Sequence, residues 1–457
     1  MKETASSFLA KSTIKVADLD HREKVNFNIK RYNDTVPFGK EQFPNVNLAR
    51  ERAKNIKWRT LESLDQYLEA FEVNFSAKGG KVIWAETAEE ALKHIHRICE
   101  EKNCKTVVKS KSMVTEEIHL NKFFEKHNIE SVETDLGEYI QQLAGEPPYH
   151  IVTPAMHKSK EDVAQLFHEK LNTKANLTPE QLTLVAREKL RDKYVQAEIG
   201  ITGANFIIAD TGSIAITENE GNARLSASFP KTHIVITGIE KVIPSFTDLG
   251  LFWPLLATYG TGQTITVYNT VISGPRQAGE TDGPEEMYVI LLDNGRTNIL
   301  ENEKQRESLY CIRCGACLNA CPVYKNIGGH AYSTTYSGPI GAVITPNMRN
   351  IKEWKHLSYA SSLCGNCTEV CAVKINLHEL LLENRSEAVE KGATGFQEKI
   401  AWKVWKKASL NRKMMNKGNR SIKNWVADKL IGGWSKHRAP LDFPEKTFNE
   451  MWLEKKG

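Results

Sequence analysis

"CIRCGACLNACPVY" (residues 311–324) places four thiols at C-x2-C-x2-C-x3-C and follows the last with proline. A second run, "SSLCGNCTEVCAVKIN" (residues 361–376), repeats the rhythm with a serine on its first beat: Ser361, Cys364, Cys367, Cys371. Seven of the nine cysteines in this 457-residue chain therefore stand where two four-thiolate clusters would take eight. Three thiols at C-x2-C-x2-C wrap the irons of one cubane, and the fourth, before proline, leaves along a helix and commonly serves the other cluster. Zinc is the competing reading. It asks only for two C-x2-C pairs, which is less than this motif supplies.

Cross-ligation groups Cys311, Cys314 and Cys317 with Cys371 on cluster one, a 4Fe–4S centre. It groups Cys321 with Cys364 and Cys367 on cluster two. The gap at Ser361 thus belongs to cluster two, with three outcomes open. A 3Fe–4S centre needs only three thiolates. A 4Fe–4S centre could keep its fourth iron on the Ser361 oxygen, or on water or a partner's ligand. The intervening "NIGGHAYSTTYSGPIGAVITP" (residues 326–346) predicts a Gly-rich loop before helices. This spacer resembles the helical dicluster module of succinate dehydrogenase iron–sulfur subunits, which passes single electrons between partners.

The remaining composition bounds the class. At 40% hydrophobic and 26% charged residues the chain reads as a globular protein with room for two to four domains. Its start, "MKETASSFLAKSTIKVADLD", carries charges throughout and no apolar core, so no secretory signal is expected. The longest uncharged stretch, residues 249–275, is broken by Gly, Pro, Thr, Gln and Asn and does not read as a membrane span. Clustered thiols fit a reducing compartment, hence the cytoplasm. Residues 399–438 hold twelve Lys or Arg against one acid, Asp428, interleaved with Trp402, Trp405, Trp425 and Trp434. A solvated helix face explains such a stretch; so does docking on an acidic partner or, peripherally, on an anionic membrane surface. No nucleic-acid module is recognisable.

Upstream, residues 1–57 are polar and punctuated and read as an arm. Leu61, Leu64, Tyr67, Leu68 and Phe71 recur at helical spacing and predict one helix over residues 58–75. Then "KVIWAET", "KTVVKSKS", "IESVETD" and "HIVTPAM" alternate as strands with helices over residues 88–102, 160–171 and 179–195. That alternation predicts a parallel sheet covered by helices. "NFIIADTGSIAIT" reads as a hairpin, and "THIVITGIEKVI", "TITVYNTVIS" and "EMYVILLDN" supply further strands. The expected division is an arm (1–57), an α/β domain (58–300), a helical iron–sulfur domain (301–390) and a basic tail (391–457).

Other candidate sites are weaker. Lys109, Lys111 and Ser112 in "KSKSMVTEE" stand at a helix start where backbone N–H groups could hold a carboxylate or phosphate, although capping by Thr115 near Glu116 and Glu117 explains much of it. "TENEGNAR" offers Glu218, Glu220, Asn222 and Arg224; Arg224 could fork onto a carboxylate or simply pair with an acid. No G-x-G-x-x-G follows a strand, and the lone Gly-x-Gly in "YGTGQT" reads as a turn. His150, His157 and His233 read as structural.

Longer blocks sharpen the picture. "VETDLGEYIQQLAGEPPYHIVTPAMHK", "GITGANFIIADTGSIAITENEGNARL", "PKTHIVITGIEKVIPSF" and "CIRCGACLNACPVYKNIGGHAYSTTYSGPIGAV", in this order, resemble the lactate utilization protein B family over roughly residues 40–390. The resemblance implies an LUD domain of the sugar-phosphate isomerase and CoA-transferase-like kind, followed by a helical dicluster module. It implies seven cysteines with serine at the position of Ser361, while Ala372 departs from the proline usual after the last cysteine. It also implies the electron carrier of a three-protein complex oxidising L-lactate to pyruvate, alongside a cysteine-rich-repeat iron–sulfur protein and a second LUD protein. An LUD domain that binds a ligand or catalyses, tuned by its clusters, is the alternative. A scaffold without redox turnover is a third, disfavoured because a scaffold needs at most one cluster.

Overall fold

Ten strands arise from the apolar runs among the residues described by the computed structural model, 2–435 and 439–456. They are β1 (Lys81–Ala85), β2 (Thr106–Lys109), β3 (Glu130–Glu133), β4 (Ile199–Thr202), β5 (Phe206–Ile208), β6 (Ser213–Glu218), β7 (Thr232–Gly238), β8 (Val242–Ile243), β9 (Tyr268–Ile272) and β10 (Glu286–Leu292). Six build an all-parallel sheet in the order β1-β10-β7-β4-β2-β3. The central strands "THIVITG" and "EMYVILL" are apolar almost throughout because helices cover both faces of a parallel sheet. Alternate residues part company accordingly. Ile234 and Ile236 join one core with Ile95, Ile98 and Phe124, while Val235 joins the other with Phe71 and Phe252. The predicted hairpin is β5–β6, antiparallel, within a second sheet ordered β8-β5-β6-β9.

Three sequence expectations give way. "HIVTPAM" forms turns, not a strand. The His150 ring nitrogen Nδ1 accepts from the N–H groups of Val152 and Thr153 (3.1 and 3.3 Å), and Tyr149 N–H donates to Pro154 O, so local bonds replace a ladder. The single helix over residues 58–75 is two, broken at Ser63. The polar arm is helical as well: α1 (Lys2–Ala17), α2 (Leu19–Lys40) and α3 (Val46–Glu62) precede α4 (Leu64–Ser76), and α3 runs across the expected boundary at residue 57. Asp18 and Asn45 cap α2 and α3, accepting from His21 and Leu48 N–H groups. These helices bury only narrow stripes, such as Val25 with Ile29, which a sequence this polar hardly advertises.

That N-terminal layer ties the cysteine region to the sheet. The Arg50 guanidinium donates to Cys371 O (2.9 and 2.8 Å) and Glu369 O (2.7 Å), Lys54 pairs with Glu307 at 2.7 Å, and Phe8 packs edge-on against Tyr332. The regions read as arm, α/β domain and iron–sulfur domain consequently form one compact unit, Met1–Lys391. The second unit, Gly392–Gly457, carries helices Phe396–Ser409, Arg412–Met415, Arg420–Ser435 and Phe448–Lys456. Within it Trp402 meets Trp405 edge-on at 5.5 Å, and both rings, with Trp425, are exposed. Residues 436–438 of the basic stretch lie outside the described residues. No helix among those described is long and apolar enough to cross a membrane.

Beneath the carboxyl edge of the sheet lies a buried ionic knot. Arg296 forks onto Glu117 (3.0 and 2.9 Å) and donates through Nε to Glu240 (2.5 Å); Tyr336 OH and Asn294 donate to the same Glu117 carboxylate. Against the penalty of burial, Arg296, Arg313 and Lys241 hold the Glu240 carboxyl down at about 2. Replacing one partner strands the others without water, which typically costs about 3–5 kcal/mol. Arg296→Met should therefore lower the urea midpoint by that much stability with an unchanged denaturant slope, and an unaltered midpoint would contradict this account.

Candidate metal centre

Cys311, Cys314, Cys317 and Cys371 line one small cavity, sealed by Ile312, Ile340, Ala372, Val373, Ile375 and Leu377. The local chain explains the convergence. Cys311 ends the turn Arg306–Tyr310; Arg313 and Gly315 then take left-handed backbone (φ 61° and 82°), which curls three thiols about one point. A Cβ on Gly315 would also press on Val152 at 3.0 Å. Cys371 arrives from the other run, just after helix Asn366–Glu369. Backbone N–H groups of Arg313 and Ile375 point at the Cys311 and Cys371 sulfurs (3.4 and 3.3 Å), the kind of bond that tunes a thiolate-held cluster.

Two observations test what this cradle fits. Burial, then the neighbouring thiols, push Cys314 up to about 12, and burial likewise raises Cys371 to about 12; only a cation would hold such thiols as thiolates. Among the described residues no three cysteine sulfurs come within 4.8 Å of one another. A tetrahedral zinc with Zn–S bonds of about 2.3 Å would draw them to about 3.8 Å. The cradle suits a polynuclear centre better than a single ion.

The second set is more open. Cys321 caps helix Pro322–Ile327, its sulfur accepting from Tyr324 N–H at 3.5 Å, and Asn366 donates to Ala320 O at 3.1 Å, latching the two runs together. Burial, followed by Cys321 and Cys364, pushes the Cys367 thiol up to about 11. Cys364 is exposed, and hydrogen bonds from the Asn366 N–H and the Ser362 hydroxyl lower its thiol. Ser361, on the first beat, is half-buried, and its Oγ accepts from Leu363 N–H at 3.0 Å in a local turn.

A cavity of about 390 Å³ adjoins the first cradle. It opens past the carboxyl ends of β2 and β4. From β2 the chain proceeds to β3 at one edge, while from β4 it proceeds through β7 to β10 the other way. Such a reversal is where parallel α/β sheets leave a ligand crevice. Lys111 and Ser112 line the cavity after β2, with Asp135, Glu218, Glu220 and Asn222. Lys111 donates to Val152 O at 2.9 Å and lies 3.5 Å from Asp135. The other wall carries Lys241, Arg313, Tyr336 and Cys314, and Arg313 and Cys314 also line the thiol cradle.

Two expected anion ligands are not there. Lys109 is fully buried beneath the sheet edge, 2.8, 3.3 and 3.7 Å from Glu133, Glu116 and Glu138; burial lowers its pKa, but those carboxylates reverse the shift. It neutralises acids and has no face for an anion. Arg224 is exposed outside the cavity, and the Glu218 carboxylate accepts its backbone N–H instead. The "YGTGQT" glycine Gly262 ends helix Leu249–Thr261 at φ 81°, as a turn should. His233 is buried against Thr202, and His157 bonds Glu146 at 2.9 Å. Lys241 and Arg313 were missed, though a lone lysine inside apolar "GIEKVI" and an arginine between cluster cysteines were available signals.

Comparison with known proteins places these features. A profile described as the LUD domain matches residues 68–292, and one described as a 4Fe-4S dicluster domain matches residues 307–375. The "Lactate utilization protein B" of Bacillus velezensis is 48% identical over 382 residues, covering 83% of this chain and 80% of that protein. The "Uncharacterized electron transport protein YkgF" of Escherichia coli K12 is 46% identical, covering 86% and 82%. A crystal structure of a DUF162 family protein from Deinococcus radiodurans aligns with 50% of this chain and 98% of that one at 13% identity, with a TM-score of 0.30, too low to bear on the fold.

Anaerobically purified protein should contain about seven or eight irons with labile sulfide. A chelator should strip the exposed Cys364 set first, and Cys364→Ser should remove a different EPR signal from Cys371→Ser. Stoichiometric zinc in place of iron would overturn the assignment.

Proposed function

Because this chain belongs to the lactate utilization protein B family, we propose that it is the iron–sulfur electron-transfer subunit of a multi-protein complex oxidising L-lactate to pyruvate in the reducing cytoplasm. The observation that carries this reading is the juxtaposition of two unlike thiol sets. Cys317 and Cys321 lie at the two ends of helix Ala316–Ala320, about one helical turn apart. Clusters held there would exchange electrons singly, whereas lactate gives up two. Cys311, Cys314, Cys317 and Cys371 supply a 4Fe–4S centre with an apolar, water-poor shell. Cys321, Cys364 and Cys367 supply a 3Fe–4S or 4Fe–4S centre at the surface, with Ser361 as a candidate extra ligand. The exposed Cys364 faces outward for a partner, and Cys314 of the other set lines the cavity. The partners in this reading are a cysteine-rich-repeat iron–sulfur protein and a second LUD protein.

The basic helix Phe396–Ser409 suits an acidic partner surface, with Lys403, Lys406 and Lys407 exposed beside Trp402 and Trp405. Association should weaken as salt rises, and reversing these three charges should mimic the effect; salt-independent assembly would assign the helix to solvent. A second reading, an LUD domain that binds ligand itself, is favoured by the cavity beside Cys314.

The purified chain alone should show no lactate-dependent dye reduction, and adding the two partner proteins should restore it. Cys317→Ser should abolish the restored activity while leaving the circular dichroism of the α/β region intact. Robust lactate oxidation by the chain alone would replace the first reading with the second.

A further inference from the structure

The cavity wall beside the first thiol cradle carries positive charge that the protein satisfies only in part. Lys241 is 7% exposed and lines the cavity, yet no hydrogen bond or ion pair reaches its ammonium among the described residues. Burial penalises that ammonium, the charges of Glu240 and Cys311 offset the penalty only in part, and an anion or water in the cavity would relieve the rest. Arg313 stands beside it. Its Nη2 lies 3.5 Å from Glu240 and its guanidinium covers the Tyr336 ring at 4.7 Å, but Nη1 is buried with no partner. Arg296 takes Glu240 Oε2 at 2.5 Å, while Oε1 is buried without a hydrogen bond, 3.5 Å from Arg313.

We propose that this cavity binds a small 2-hydroxy or 2-oxo monocarboxylate, its carboxylate held between Lys241 and Arg313 against Cys314. The choice of acid rests on the reading of the chain as a lactate-utilisation protein; the carboxylate anchor rests on two cations that the protein pairs incompletely. Charge argues for a monoanion. The cavity also carries Asp135, Glu218 and Glu220, with only Lys111 to answer them, and that arrangement disfavours a phosphate dianion. Ile151, Ile216 and Leu256 offer apolar surface to the carbon chain. The position past the carboxyl ends of β2 and β4 is the crevice that this sheet topology leaves for a ligand.

Negative charge on a thiolate-held cluster could account for Arg313, which lines both cavities. Lys241 feels the Cys311 charge as well, but it lines only the larger cavity. Lys241 is therefore the residue to change.

Isothermal titration of the cluster-loaded chain with pyruvate, L-lactate, oxamate and inorganic phosphate tests the proposal. One saturable site for the organic acids is expected, together with a change in the EPR signal assigned to the Cys311 set. Lys241→Met should weaken binding at least tenfold at unchanged iron content, the usual scale for a lost charged hydrogen bond. Lys241→Arg should restore much of it. Ala204→Phe, which fills the cavity without touching either cation, should abolish binding, and Arg224→Ala should leave it unchanged. Preference for phosphate, binding indifferent to Lys241→Met, or no binding to a cluster-loaded chain would each overturn the proposal. Restored lactate oxidation by the assembled complex despite such a failure would leave the electron-transfer role standing. Binding without restored activity would do the reverse.

Discussion

One buried guanidinium organises this protein. Arg296 sits at 1% side-chain exposure between Glu117, from the helix after β2, and Glu240, from the turn after β7. It clamps two crossover elements at the carboxyl edge of the sheet. The same two carboxylates then reach into the cysteine region, Glu117 taking the Tyr336 hydroxyl at 2.5 Å and Glu240 facing Arg313. Even backbone space is committed to the arrangement: a Cβ on Gly238 would sit 2.3 Å from Arg296 Nε. Lys57 from α3 adds a third layer, donating to Glu240 O and Val242 O while burial lowers its pKa to about 7. The thiol cradle, the cavity and the N-terminal helices are thus indexed to one ionic contact.

What the sequence revealed follows from which forces leave a local trace. A central parallel strand must be apolar on both faces, so "THIVITG" and "EMYVILL" announced themselves. Thiols at C-x2-C-x2-C-x3-C-P have few alternative uses. By contrast, α1 to α3 bury narrow stripes between polar residues, and their partners are some three hundred positions away: Thr4 with Glu353, Arg50 with Cys371. Nothing local records such contacts. Lys109 failed for a related reason. A lysine at a strand end next to serines looks like an anion ligand until Glu133 and Glu138 are folded over it. Lys241 is the converse, a charge in an apolar stretch whose want of a partner appears only when the surrounding walls are in place.

The two thiol sets differ as their surroundings require. The first is enclosed by aliphatic side chains and by α3, and shares Arg313 and Cys314 with the cavity. The second has one exposed cysteine, one serine in place of a thiol and a helix start for a wall. A single repeated sequence rhythm has been fitted to two environments, one lined by aliphatic side chains beside the cavity, one with a cysteine exposed.

The contact between Arg50 and Cys371 also has a temporal side. Residues 321 positions apart meet there, so this contact cannot form until nearly the whole compact unit has left the ribosome. Contacts of such long range form late in folding, because loop closure precedes any reward. During synthesis α1 to α3 emerge first and wait, while the cysteines emerge last and meet an open surface. Until α3 docks, the Cys371 carbonyl lacks its Arg50 partner. The chain's beginning is thus among the last segments to complete its contacts.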